Sequence, residues 1–458
     1  MAAPQRPAHP ARATPVGPRA VVIGGGIAGL AAASALAPHV ASLTLIEQEP
    51  LPSAPTIRRH IPQAPHVHAL LDSGRQALEA LVPGLGAALR DAGSLPLRVR
   101  SQWRSHDGHA WCAPEDTGPI VLSQSRALLE HTLRARVLAL APLTLCTARV
   151  RGLRLAPPEH GACDARAAES PRLIGVEIED ASRRRQSLAA EIVVDASGRA
   201  GDSLKWFEAA GLRAPPETTR HPDIRYTSAF FARHPADLAH PPSAWLRPAQ
   251  APATQGLVMA PIEDDRWVIT LIGRFGAALP RDAAGFRQRA LEIAGGDLQA
   301  RIADAPMLSP LRGFAIKSVR FRRFDRADAP LPLGYFPIGD SIATFNPLYG
   351  QGMSVAALQA QALSRALCEH VCPGAQQAAY LAAAHRPADW AWRIGGAVDR
   401  AYAQMRQQED AECDHLAARL RLAFSASVLR PELCGQIDRV LHLLEPPEML
   451  DAFCTEPV

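Results

Sequence analysis

The chain of 458 residues predicts an α/β fold: a Rossmann-like unit, an inserted antiparallel β-sheet domain and a C-terminal helical region. Three observations carry that prediction. Ala20-Val21-Val22-Ile23-Gly24-Gly25-Gly26-Ile27-Ala28-Gly29-Leu30 reads as an apolar strand, a glycine turn and a helix start, and Leu43-Thr44-Leu45-Ile46-Glu47 as a second strand ending in an acid. The stretch Gly334 to Ala356 again reads as an apolar strand, an acid at its end and a Pro/Gly loop opening a helix. Between them, alternating apolar and polar residues mark strands, and beyond about Leu358 the spacing turns helical.

The first unit has the parts of a dinucleotide-binding βαβ motif. Gly24 allows the tight turn, Gly26 lets a pyrophosphate approach the backbone, and Gly29 lets the helix pack close to the strand. The helix N-terminus offers free N–H groups and a positive dipole to phosphate. Glu47 is placed to take ribose hydroxyls, which favours FAD or NAD over NADP. The alternative is a purely structural βαβ unit. The second segment favours FAD: Asp340 suits a ribityl hydroxyl, and backbone N–H groups from Pro347 to Gly352 suit an anionic ring edge at a helix N-terminus.

The other elements follow in order. Met1 to Pro18, rich in Pro, Ala and Arg, reads as a disordered leader without the apolar core of a secretory signal. Ser123 to Leu133 starts with cap-type serines and continues with Leu129, Leu133 and Val137 on one helical face. Leu143 to Leu153, Leu173 to Glu179 and Ala189 to Asp195 read as strands, broken by a loop from Ala156 to Pro171. From about Tyr226 to Phe324 an antiparallel sheet is expected, with a turn at Glu263-Asp264-Asp265. Helices are expected around Ala375 to Ala384, Ile394 to Ala411 and Pro431 to Leu444. Val440, Leu441, Leu443, Leu444 and Met449 are read as core, with a lid or membrane-surface contact as the alternative. The resulting domains are residues 19–75, 120–205 and 330–365 for the cofactor, 76–119 and 206–329 for the substrate sheet, and 366–458 for the helices.

Composition agrees. With 47% hydrophobic residues the chain can build sizeable cores, and a net charge of +4 without basic runs interleaved with aromatics argues against nucleic acid. No apolar run is long enough for a membrane span once the glycine turn splits Ala20 to Ala37. The eight cysteines are scattered and form no disulfide framework, so a cytoplasmic, reduced setting is expected. Neither Cys368 with Cys372 nor His66 with His68 has the further ligands of a metal site.

Taken together, these motifs resemble the flavoprotein monooxygenases of the para-hydroxybenzoate hydroxylase fold, often called group A, with an FAD-binding domain of the GR2 type. The resemblance implies that the glycine unit binds the ADP half of FAD, that Gly339 and Asp340 contact the ribityl chain, and that Pro347, Gly350, Gln351 and Gly352 lie beside the isoalloxazine, with Met353 following. It adds Ile192-Val193-Val194-Asp195-Ala196-Ser197-Gly198-Arg199 as a third motif and assigns Arg126 to the flavin's phosphate or ribityl region. Arg58-Arg59-His60-Ile61-Pro62-Gln63-Ala64-Pro65-His66-Val67-His68-Ala69-Leu70-Leu71 and Phe345 to Leu358 are most similar to the polyether-type and squalene epoxidase-like branch, with Arg59 at the cofactor. Ala343, where many aromatic hydroxylases carry His or Gln, departs from the pattern.

The activity implied is transfer of one oxygen atom from O2 through a flavin C4a-hydroperoxide, as epoxidation or hydroxylation of a small, largely apolar substrate. NAD(P)H would serve as a transient reductant or act through a separate flavin reductase, since only one glycine unit is present. His66, His68 and Tyr226 are the candidates for a catalytic base. Alternatives are a reductase of isoprenoid double bonds similar to geranylgeranyl reductases, a flavin-dependent halogenase, and a non-catalytic flavoprotein partner. The halogenase needs an active-site Lys and a Trp-x-Trp-x-Ile-Pro stretch, whereas here Trp390-Ala391-Trp392 leads into Arg393-Ile394-Gly395.

Overall fold

A computed structural model describes residues 17–106, 111–158, 168–326, 331–407, 410–429 and 433–454. The expected leader falls almost wholly outside the described residues, as does most of the loop from Ala156 to Pro171.

Strand β1 (Arg19–Ile23) is apolar on both faces because both faces are covered, as a central parallel strand requires. It pairs in parallel with β2 (Ser42–Glu47) on one side and with Ile192–Asp195 on the other. Leu143–Thr147 and Tyr335–Pro337 complete the five-stranded parallel sheet at its edges. Helix α1 (Ile27–Leu36) is buried on almost every side because it lies between this sheet and the helix Gln351–Glu369.

The run expected as one strand from Leu143 to Leu153 is divided. Its first part closes the parallel sheet, the Ala148 N–H still reaches the Glu47 carbonyl at 3.0 Å, and Arg149–Ala156 then leaves to form an antiparallel sheet with Arg172–Glu179 and Arg185–Ala189. A change of partner within a continuous alternation leaves no mark in the pattern.

The inserted sheet has six strands in the order Arg312–Ile316, Ile224–Ala232, Arg266–Gly273, Gln255–Ile262, Ala244–Arg247 and Trp103–Ser105. Asp264 and Asp265 both have positive φ (58° and 51°), which matches the twist of a tight hairpin. The faces alternate as the pleat dictates. Phe231, Trp267 and Ile269 pack on Phe286 and Ala290 of helix Ala283–Ala294, whereas Ile224, Tyr226, Val258 and Ile272 join the core shared with the Rossmann unit.

Helix Pro373–Asp399 runs unbroken through Pro387, where two separate helices were expected. Leu381, Ala384, Ala388, Ala391 and Ile394 keep a buried stripe across the proline. The break comes at Arg400, whose guanidinium pairs with Asp414 at 2.6 Å on helix Ala411–Leu429. Val440 and Leu443 are core residues, and Met449 is exposed. Among the described residues no helix is long and apolar enough to cross a membrane. Cys146, Cys368 and Cys413 form no disulfide, whereas Cys372 is disulfide-bonded, a departure from the reduced setting expected.

The end of strand Ile192–Asp195 is tied to its neighbour by the Tyr335 hydroxyl, which donates to Asp195 Oδ2 at 2.7 Å in a fully buried setting. Tyr335→Phe leaves that carboxylate oxygen short of a donor and is expected to lower stability by about 1–3 kcal/mol in urea unfolding. An unchanged midpoint would mean that the contact contributes nothing.

Candidate active site

The parallel strands end on one edge of the sheet, the edge where ligands bind in open α/β folds. Gly24, at φ 103°, has no room for a side chain, since a Cβ would lie 2.5 Å from the Ala196 carbonyl. A Cβ on Gly29 would lie 1.8 Å from the Gly24 carbonyl, so helix and turn are in direct contact. Gly26 differs: its Cβ would meet nothing within 4 Å. Protein fills the space beside two of the three glycines and leaves it open at the one expected to face phosphate.

Glu47 is buried and accepts from the Gly25 N–H at 2.8 Å and from Arg58 at 2.7 Å. Arg58 also reaches Glu130 at 2.8 Å, and Glu130 reaches Arg126 at 3.3 Å. Arg58 is thus the arginine built into the site. Arg59, the one expected there, is exposed. Adjacent arginines in a segment without periodicity carry no signal of which one turns inward.

Arg126 opens helix Arg126–Val137, behind Ser125, whose hydroxyl caps Leu128 N at 3.1 Å. Asp340 is half-buried, and burial raises its carboxyl above the usual range although Arg126, Arg199 and Arg320 all pull it down. Gly339, at φ 62°, packs against Ala28 of α1 and donates its N–H to Gln359 at 2.7 Å. Asp195 is buried and its carboxylate is engaged within the protein: Oδ1 takes both the N–H and the hydroxyl of Ser197, and Oδ2 takes Tyr335. These contacts hold the strand end and the turn after it in place.

Pro347–Tyr349 forms a 3-10 turn, and Gly350, at φ 64°, passes the chain into helix Gln351–Glu369. A Cβ on Gly352 would meet only Phe345, at 4.0 Å. Met353 packs against the main core. The turn is held from behind by Asp399, the last residue of the long C-terminal helix. Its carboxylate accepts from Asn346 Nδ2 at 3.0 and 3.2 Å, from the Tyr349 hydroxyl at 2.6 Å and from Arg274 at 2.6 Å. Arg274 stands just past the end of strand Arg266–Gly273 and also donates to Tyr349 at 3.1 Å. Burial works against the charge on Arg274, but Tyr349 and Asp399 hold it protonated, above its ordinary value. Nothing in the sequence pointed to Arg274 or Asp399, and the quoted stretch from Arg58 did not single out Arg58, because ionic partners distant in the chain have no spacing rule.

The expected bases come together at the sheet. His66 is 3% exposed, donates to or accepts from Ser228 Oγ at 2.7 Å, and lies between Tyr226 and Phe314 with ring centroids at 5.5 and 5.7 Å. His68 turns its Nδ1 to the His66 carbonyl at 2.9 Å, and Ala69 next to it brings its own carbonyl to 3.4 Å from the Cβ position of Gly350. Burial lowers His66 to about 4 and, with Arg126, lowers His68 to about 3, while burial pushes the Tyr226 phenol up. All three are neutral at pH 7, and none is poised as a strong base.

Residues 22–77 match a family model described as an NAD(P)-binding Rossmann-like domain. Protein Rv3254 of Mycobacterium tuberculosis is 33% identical over 361 residues, covering 76% of this chain and 72% of that protein. PqsL, a probable FAD-dependent monooxygenase from Pseudomonas aeruginosa, is similar with a TM-score of 0.61 at 19% identity, over 85% of this chain and 100% of that one. The flavin-dependent brominase Bmp2 has a TM-score of 0.63 at 14% identity, over 95% and 98%. The fold is therefore that of the flavin-dependent monooxygenases of the para-hydroxybenzoate hydroxylase type, which the brominase shares. Within it, the chain belongs to the family of Protein Rv3254.

Two expectations follow. Asp399→Leu strands a buried guanidinium and is expected to cost about 3–5 kcal/mol, much of it restored when Arg274→Met is added; chemical denaturation of both variants measures this, and a double variant no better than the single one would refute the pairing. The second concerns acid. Burial lowers both His66 and His442 to about 4. Unfolded histidine binds its proton near 6.5, so between about 6.5 and 4 the unfolded chain holds the extra protons and stability falls with falling pH, by roughly 1.4 kcal/mol per unit per histidine. Above that window the two contribute no slope. His442→Gln should make the acid limb of a stability-pH profile shallower.

Proposed function

We propose that the protein is an FAD-dependent monooxygenase that places one oxygen atom from O2 into a small, largely apolar substrate, with NAD(P)H as the ultimate reductant. The observation that carries this reading is the pair of open glycines, Gly26 and Gly352, each in the first turn or cap of a helix at the ligand edge of the fold. The residues present fit FAD: Gly26 leaves a cradle, Arg126, Arg199 and Arg320 all act on Asp340, and the buried Ser341 Oγ and Gln351 Oε1 lack partners among the described residues. Glu47, Gly26 and the N-terminus of α1 would hold the ADP half, Asp340 and Arg126 the middle, and Pro347 to Gly352 with Met353 the ring. When bound and reduced, FAD supplies the activation of O2.

The chain's own contribution is orientation and exclusion of water. Asn346 and Tyr349, fixed by Asp399, hold the turn that aims the first N–H groups of helix Gln351–Glu369. Tyr226, Phe314 and the apolar face of the inserted sheet offer a dry surface for the substrate. Neutral histidines suit oxygen transfer to an alkene, which takes no proton from the substrate, at least as well as hydroxylation of a phenol. Both outcomes belong to the proposal, as do a separate flavin reductase and a cytoplasmic setting.

The halogenase reading is weaker. Lys205 and Lys317, the chain's two lysines, are both exposed, and Trp392 lies under the Arg220 guanidinium at 4.1 Å in the C-terminal helix. A reductase of isoprenoid double bonds would bind FAD alike without consuming O2, and a non-catalytic flavoprotein would show no substrate-stimulated NAD(P)H oxidation.

Because the protein itself leaves room at Gly26, Gly26→Val should fold normally yet lose FAD, since even ~1 Å of displacement disrupts such positioning. Visible absorbance after gel filtration reports retention, and thermal melting reports the fold. Full FAD retention in a folded variant would sink the cofactor assignment. For the reaction, a product heavier by one oxygen atom together with O2 uptake is expected; reduced product without O2 uptake would favour the reductase.

A further inference from the structure

Ser228 and Thr270 face each other across neighbouring strands of the inserted sheet, and both are fully buried. They form a short relay. The Val67 N–H donates to Thr270 Oγ1 at 3.2 Å, Thr270 Oγ1 lies 2.7 Å from Ser228 Oγ, and Ser228 Oγ lies 2.7 Å from His66 Nδ1. The relay ends on His66 Nε2, which is buried and has no partner among the described residues.

The proton positions follow from counting donors and acceptors. Thr270 Oγ1 already accepts from Val67, and of the two directions open to its contact with Ser228 Oγ only donation to Ser228 gives the Thr270 proton an acceptor among the described residues. Ser228 then passes its proton to His66 Nδ1, which leaves the imidazole proton on Nε2. The reverse order would leave two buried groups unpaired among the described residues, the Thr270 proton and the His66 Nε2 lone pair, where the first order leaves only the Nε2 proton. His66 is thus a fixed N–H donor and not the base that the sequence suggested. Its ring is held between Tyr226 and Phe314, which are themselves paired across adjacent strands. The site is connected to the cofactor turn, because Arg274, which bonds Tyr349, lies near enough to Tyr226 to affect its phenol.

We propose that His66 Nε2–H binds an acceptor oxygen of the substrate, and that the substrate is an oxo compound, a ketone or enone, whose apolar body lies against Tyr226 and Phe314. The assignment rests on the monooxygenase reading for what happens next, but the recognition itself is a property of this chain. A carbonyl fits better than a hydroxyl because it accepts a hydrogen bond without bringing a further proton into an apolar setting that offers it few acceptors.

The test uses the FAD-loaded protein and two probes that differ by one group, 1-tetralone and tetralin, in equilibrium dialysis. Wild type is expected to bind 1-tetralone ~10-fold more tightly than tetralin. His66→Leu should erase that preference while leaving tetralin unchanged, and His66→Gln, which keeps an N–H donor, should restore part of it. If His66→Leu fails to fold, Ser228→Ala keeps the imidazole but frees its tautomer, and should cut the preference at least ~3-fold. Equal binding of the two probes, no binding of either, or a preference that survives both substitutions overturns the proposal. A His66→Leu variant whose flavin absorbance shifts without ligand while probe preference is unchanged would assign the donor to the cofactor and overturn it too. Failure of ketones to stimulate O2 uptake counts instead against the monooxygenase reading, and leaves the dialysis comparison standing.

Discussion

One carboxylate holds the active region together. Asp399 stands at the end of a 27-residue helix and receives donors from two other parts of the fold, Asn346 and Tyr349 on the cofactor turn and Arg274 on the inserted sheet. A buried ion pair adds little net stability, but losing either member is costly, so the three parts are locked in register. The lock has a packing component as well, because Gly395, one turn back on the same helix, lets the Tyr349 ring approach within 3.2 Å of its Cβ position. The helix has to run straight through Pro387 for Asp399 to arrive there. A region without any recognisable motif thus sets the position of the turn expected to face the reacting ring.

The opposite end of the site follows the same physics with more charges. Arg58 joins Glu47 to Glu130, and Arg134 lies 3.7 Å from Glu130. These buried charges neutralise one another. Asp340, by contrast, feels Arg126, Arg199 and Arg320 together, although Arg126 and Arg320 also face Glu130 and Glu217. Buried polar atoms without partners are few in a folded protein and call for an explanation. Among several such atoms in the described residues, Ser341 Oγ, Gln351 Oε1 and His66 Nε2 belong to the strand-end turn, the cofactor loop and the segment packed on the inserted sheet, segments that a ligand spanning the site would touch.

What was legible in the sequence was whatever has a local physical signature. The glycine turn has one, because Gly24 takes a positive φ and Gly29 is forced by the Gly24 carbonyl five residues back. The hairpin at Asp264 and Asp265 has one, as does the Ser125 cap. The sheet order, the change of partner at Ala148 and the unbroken C-terminal helix had none, since pairing partners lie far apart and Pro387 imitates a helix end. Among site residues, glycines were readable by spacing, whereas charges were not. Arg59 is exposed where Arg58 turns inward, and Arg274 and Asp399 were silent because an ion pair between residues 125 positions apart obeys no period.

The type of reaction is written in none of the glycine motifs, since a fold shared with a probable monooxygenase and with a brominase holds the same kind of cofactor site for different chemistry. The difference has to come from the side chains on the sheet facing the cofactor turn. In this chain the two lysines are exposed, and burial lowers His66 and His68 well below the usual histidine range. What that face supplies is an apolar surface with the proposed His66 donor, set by Ser228 and Thr270, beside the Tyr226 phenol. Such a face orients a weakly polar molecule and leaves the bond-making to the cofactor. Specificity in this protein is accordingly expected to follow from one hydrogen bond and shape, and to be changed by substitutions on the inserted sheet rather than in the Rossmann unit.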